Sequence, residues 1–262
     1  MKNKKTIFVI ITIASCILSI LFSAVDICYS QKVRVDNLLD KIVPLFFVMP
    51  ILVLFLSTSQ QKIFNKPNNL WYLAPCLLVA INNLPFIPWI KGVNKFANVG
   101  VQEVLLFIFY CVLIGVFEEI VFRGIIFPSL LSRFEKSKKG LIKSMIISSM
   151  IFGVAHIVNA FSGAGTIETL LQVVYSSLIG GLCVFAFVKT NNIVSSIVVH
   201  ALYNFCGLLF NAKIGLGFGV SFDLHTVIIT VVIGVLVFAF VVLSLFFQSK
   251  EEIDSFHKKI NC

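Results

Sequence analysis

Glu118, Glu119 and Arg123 stand together in "FEEIVFRG", between the apolar stretches "VLLFIFYCVLIGV" and "IIFPSLL". Both flanks are apolar enough for lipid, where an ionisable side chain at a helix centre costs about 2.5–3.5 kcal/mol on insertion scales. Two other apolar runs carry one imidazole each. His156 lies in "FGVAH", and His200 lies in "HALYN" with Asn204 one turn on. Residues so costly to place are candidates for chemistry. Desolvation raises the pKa of a carboxylate in a dry hollow, and a nearby imidazolium lowers it, which can poise the group as a general base. Such a base takes a proton from water. The imidazoles could bind a metal, orient that water or donate to an oxyanion. Asn204 could donate its amide to the same oxyanion.

Helix geometry sorts these groups. Glu119 and Arg123 are spaced i,i+4 with the acid first, the favoured orientation for an ion pair. Glu118 points about 100° away round the helix, and its own i+4 position is Phe122, so its partner must come from another helix. At 1.5 Å per residue, Glu118 lies about 21 Å from the end of its span, His156 about 22 Å and His200 about 10 Å from the start of theirs. These depths predict that all three meet in the inner half of the bilayer. Each group alone has a plain structural reading, such as a packed histidine or an interhelical amide contact. Their coincidence on three spans favours a site. Neither HExxH nor HxxEH occurs, so spacing does not indicate a metal, for which Glu118, His156 and His200 are the candidate ligands.

The elements that must position these groups are membrane spans. The 262 residues are 58% hydrophobic and 13% charged, with mean hydropathy +1.00. Soluble domains carry about 25% charged residues. Eight apolar segments are long enough, or nearly so, to span: 6–25, 42–58, 70–90, 104–131, 141–161, 168–188, 193–211 and 222–247. Asn82, Asn83, Pro85 and Pro88 predict a break near the end of the third, and Gly124 and Pro128 a tilt or turn in the fourth. The predicted fold is an all-α polytopic membrane protein, a bundle of about eight transmembrane helices forming a single membrane domain over 1–262. Its motif-bearing core is 104–211, and 248–262 is a tail too short to fold alone, with His257 solvated.

With the N-terminus inside, cytoplasmic segments hold 14 Lys and Arg and outer loops hold six. This bias predicts that both termini are cytoplasmic. The net charge of +9 is therefore read by position and implies no nucleic acid. The apolar run after "MKNKK" continues past "IASC" to Val25, which favours an uncleaved first span over a signal peptide. The seven cysteines contain no CxxC pair and five lie in apolar runs, as buried small hydrophobes do. "SSLIGG" places Ser177 and Gly181 at the spacing of a close helix contact. Asn82 and Asn83 could line a cavity or satisfy the kink.

"EEIVFR" (Glu118 to Arg123), "FGVAH" and "HALYN" resemble the EExxxR, FxxxH and HxxxN/D motifs of the CPBP family. These are the CAAX-protease and bacteriocin-processing intramembrane proteases, also called Abi. The motifs cover about residues 115–210 with no departure. The resemblance implies an eight-helix bundle whose site opens towards the cytoplasm. It implies that Glu118 activates water, that Glu119 and Arg123 support it, and that His156, His200 and Asn204 polarise water and stabilise the tetrahedral intermediate. Both metallopeptidase and metal-free glutamic mechanisms are argued for the family. A divalent metal such as zinc fits, and no organic cofactor is expected. The implied partners are the lipid bilayer and a membrane-associated peptide or protein substrate. The short loops suit a bacterial plasma membrane, where a secreted signalling peptide, a bacteriocin precursor or a small membrane protein fits better than a prenylated CAAX protein. Two rivals use the same residues. A scaffold or self-immunity factor would tolerate loss of Glu118, and a proton- or cation-linked transporter would show flux dependent on it.

Overall fold

The computed structural model describes residues 33–58, 62–161, 165–219 and 223–260. The predicted first span, 6–25, with the signal-peptide question, lies outside these residues. Helix α1 is Val33–Thr58. It begins well before the expected 42–58 because Leu38, Ile42, Leu45, Val48 and Leu52 recur every three or four residues and pack against Phe107, Tyr110 and Phe117. That buried stripe carries the helix on through Asp36, Asp40 and Lys41, which hydropathy alone assigns to a loop. A single 3-10 turn at Leu70–Tyr72 leads into α2, Leu73–Asn82, and α3, Phe86–Ile90, follows. The break falls at the Asn–Asn–Leu–Pro run, as the sequence predicts.

The segment bearing both acids is α4, Val101–Glu119. It continues through a wide π-type turn over Ile120–Ile126 into α5, Phe127–Leu131. The amide of Phe127 reaches the carbonyl of Phe122, five residues back. Gly124 lies inside this irregular stretch, yet 101–131 remains one continuous helical segment. Pro128 sits in the first turn of α5, where its missing amide matters least.

Helix α6, Lys138–Ala155, starts at Ser137, whose hydroxyl accepts from the Gly140 amide, and α7 is the short Val158–Phe161. Helix α8, Thr166–Thr190, ends on Asn191 in the left-handed region at φ 57°. Asn192 then caps α9, Ile193–Leu208. Asp223 caps α10, Leu224–Phe246, and hydrogen bonds from Thr226 hold its carboxyl below the ordinary range. Helix α11 is Lys250–Lys259.

Among the described residues, five helical segments are long and apolar enough to cross a membrane: Arg34–Leu54, Val101–Leu131, Lys138–Ala160, Thr166–Thr190 and Leu224–Phe246. The chain is an integral membrane protein. Leu70–Asn82 and Ile193–Leu208 are apolar but shorter. Only 11% of the most apolar stretch of α10 is buried, so this helix presents itself to lipid.

The tail folds against the bundle rather than alone. Ile253, Phe256 and Ile260 are buried, with Phe256 against Phe127 and Phe187 at ring distances of 6.3 and 5.6 Å. His257, expected in solvent, is 2% exposed. An apolar residue every third or fourth position gives α11 one face to bury, and its charges occupy the other.

Hydrogen bonds tie the connections into two opposite ends. At one end, Arg34 and Asn37 donate to the carbonyls of Ala212 and Lys213. There Lys95–Phe96 (β1) pairs antiparallel with Gly217–Phe218 (β2), and Lys91 lies 3.5 Å from Asp223. At the other end, the Asn68 and Ile193 amides donate to Thr190 and Ile63, while Lys138 and Lys189 donate to the carbonyls of Phe246 and Ser244.

Candidate active site

Helices α4 and α9 approach closely at Gly115, where a Cβ would stand 3.2 Å from the Ala201 backbone nitrogen and be crowded. One turn on along α4 come Glu118 and Glu119, and the residue before Ala201 is His200. The backbone contact thus delivers the acids to the imidazole.

Glu119 and Arg123 form the ion pair their spacing predicts, at 2.8 Å and both wholly buried. The guanidinium also donates to the Gly180 carbonyl at 2.8 Å and lies 4.7 Å from the centre of the Phe152 ring. The Glu119 oxygen that meets Arg123 also meets His200 Nδ1 at 2.7 Å. A carboxylate already paired with arginine accepts, so Nδ1 carries the hydrogen. This leaves Nε2 of His200 facing Glu118, whose Oε2 is 3.4 Å away. His156 is oriented the same way. Its Nδ1 donates to the Phe152 carbonyl at 2.9 Å, which leaves its Nε2 free. As the sequence predicts, His156 lies inside the apolar segment Lys138–Ala160, just past the last residue of α6.

Glu118, His156, His200 and Asn204 line one cavity of about 540 Å³, together with Tyr110 and Tyr203. Glu118 is 17% exposed against zero for Glu119. All six residues singled out from the sequence are therefore in one place, in two layers. Glu118, the two histidines and Asn204 border the cavity; Glu119 and Arg123 lie behind it.

Two participants, Phe152 and Gly180, were not singled out from the sequence. The Phe152 ring stands edge-on to both imidazoles, 4.9 Å from His156 and 5.6 Å from His200 between centres. Its place in "FGVAH" was the available signal. Gly180 offers Arg123 its carbonyl, and a Cβ there would lie 3.1 Å from Nη2. The tight glycine of "SSLIGG" is thus Gly180 rather than Gly181. Of the two asparagines, Asn83 lines the cavity and donates to the Tyr203 carbonyl, while Asn82 donates to Thr230 on α10.

Two donor sets can be tested for a metal. Ligand atoms of Glu119, Cys183 and His200 lie within 4.8 Å of one another. The Arg123 guanidinium already fills the cation place there, so this set does not fit. At the cavity, the 3.4 Å between Glu118 Oε2 and His200 Nε2 matches the edge of a tetrahedron about 2.0–2.1 Å from its centre. Glu118, His200 and His156 are donors of the type zinc takes, but among the described residues their ligand atoms do not all come within 4.8 Å of one another, so His156 would have to move closer to complete the set.

Lys41, Asn211 and Ile214 also line the cavity, and they belong to the end tied by the β1–β2 ribbon. The basic stretch 132–143 lies at the other end. The cavity therefore extends toward the end opposite that stretch.

Residues 100–206 match the family model described as type II CAAX prenyl endopeptidase, Rce1-like. No curated protein and no solved structure matches.

Proposed function

We propose, from the match of residues 100–206 to the Rce1-like family model, that this chain is a CPBP-type membrane protease that cleaves a peptide bond in a membrane-associated protein or peptide by activating water at Glu118. The observation that carries this reading is the contrast between the two acids. Glu119 is consumed by Arg123 and His200, while Glu118 borders the cavity opposite a bare imidazole nitrogen. Glu118 takes the proton of a water attacking the scissile carbonyl. Glu118 passes that proton to Nε2 of His200, 3.4 Å away, the Glu119 carboxylate stabilises the imidazolium, and His200 hands the proton to the leaving amine as the C–N bond breaks. Asn204 donates its amide to the developing oxyanion, and His156 holds the water through Nε2. Phe152 and the tyrosines wall the site with rings, which lowers the local dielectric and strengthens each of these contacts.

A divalent ion such as zinc would be held by Glu118, His156 and His200. Bound there, it would lower the pKa of a coordinated water. Chelation followed by metal restoration measures that contribution separately from the residues.

The test compares terminal peptides of membrane and secreted proteins from cells carrying the wild-type chain or Glu118→Gln. General-base loss lowers cleavage about 10²–10⁴-fold with unchanged expression. Purified Glu118→Gln protein that cuts at the wild-type rate would exclude the mechanism. A prenylated CAAX protein is one candidate substrate, since the family description names it. An exported peptide processed at a bacterial plasma membrane is the one we favour.

A further inference from the structure

We propose that the cavity opens on the extracytoplasmic side, so that the chain it cleaves is a translocated one: an exported peptide or the outer juxtamembrane segment of a membrane protein. The substrate part rests on the hydrolytic reading above; the sidedness does not.

The two hydrogen-bonded ends of the molecule differ in charge. Among the described residues, the end away from the cavity holds eleven Lys and Arg: two in 62–66, five in 133–143, Lys189 and three in 250–259. Four acids accompany them, Glu135, Glu251, Glu252 and Asp254. The cavity end holds five cations, Arg34, Lys41, Lys91, Lys95 and Lys213, against five acids, Asp36, Asp40, Glu103, Glu168 and Asp223. Lys and Arg in short connections are retained in the cytoplasm during insertion. The cavity end, with five Lys and Arg against eleven, is the end that this bias sends across the membrane.

The basic end is also a built surface. Helix α11 is fixed to it through Ile253, Phe256 and Ile260, which presents Lys258 and Lys259 at the edge of the bundle, as an anionic inner leaflet attracts. Behind that surface the interior is packed. Phe127, Leu131, Leu141 and Phe187 are wholly buried in one cluster with Phe256, and they stand between the basic end and the cavity. A substrate therefore reaches Glu118 from the end bearing Lys41, Asn211 and Ile214.

Single Lys213→Cys and Lys139→Cys changes, both at exposed positions, read the sidedness without reference to activity. Cells expressing each full-length variant are treated with a membrane-impermeant maleimide, before and after permeabilisation. The proposal expects the Lys213→Cys chain to be labelled in intact cells, and the Lys139→Cys chain only after permeabilisation. The reverse pattern, or equal labelling of both in intact cells, overturns it. Cut sites are then mapped from terminal peptides that differ between wild type and Glu118→Gln. Sites in exported or outer segments support the substrate class, and sites in cytoplasmic segments overturn it. Identical termini in the two strains, with labelling as expected, would remove the hydrolytic reading and the substrate class while leaving the sidedness standing.

Discussion

Glu118 and Glu119 are joined by one peptide bond yet occupy different media. Glu118 borders a cavity large enough for water and a peptide segment. Glu119 lies beneath it in a dry layer with Arg123, the Gly180 carbonyl and Nδ1 of His200. The helical step of about 100° between neighbours makes this division possible. A buried charge is tolerated only when paired and hydrogen-bonded; Glu119 Oε1 and the two terminal nitrogens of Arg123 meet that condition, while Glu119 Oε2 and Arg123 Nε are buried without a hydrogen-bond partner. The lower layer in turn fixes the ring of His200, so the upper layer receives an imidazole of known orientation. Two adjacent acids thus supply one chemical group and one group that positions it.

The sharpest way to break this contrast is to empty the lower layer. Arg123→Met leaves Glu119 buried without its partner and should destabilise the fold by about 3–5 kcal/mol, read as thermal unfolding in detergent. Adding Glu119→Gln to that change should recover most of the loss, because a buried ion pair replaced on both sides costs little. An unaltered unfolding temperature for Arg123→Met would mean the layer holds nothing together.

The upper layer gives the next effect. Asn204→Ala should slow cleavage about 10²–10³-fold, the range for one oxyanion donor at about 2.7–4 kcal/mol, with little change in unfolding temperature. A rate within threefold of wild type would remove Asn204 from the reaction. The smallest effect probes the seam between the layers. Gly180→Ala would push a methyl group against Phe152 and Arg123, at 3.0 and 3.1 Å. Overpacking of this kind costs about 1–3 kcal/mol. A full-strength fold in Gly180→Ala would show that the Arg123 guanidinium can shift without consequence.

The parts of this arrangement governed by short-range geometry were legible in the sequence. The i,i+4 spacing of Glu119 and Arg123 paired them, and the missing cation at Phe122 sent Glu118 across the bundle to His200. Asn82, Asn83 and Pro85 marked the break after α2. What escaped depended on tertiary partners. The early start of α1 rests on a stripe from Leu38 to Leu52 that needs α4 to be visible as a core. His257 is buried only because Phe127 and Phe187 wait for Phe256. The π-type turn after Glu119 leaves no composition signal, and a backbone carbonyl such as that of Gly180 has no letter in the sequence. His156 falls at the end of α6, away from the basic connection, and the cavity follows it there.

One paired measurement bears most directly on the division of labour between the two acids: cleavage rate and unfolding temperature for Glu118→Gln beside Glu119→Gln in the same preparation. The first should lose about 10²–10⁴ in rate at wild-type stability, and the second should unfold at a distinctly lower temperature. A folded Glu118→Gln protein cutting within threefold of wild type would contradict the account.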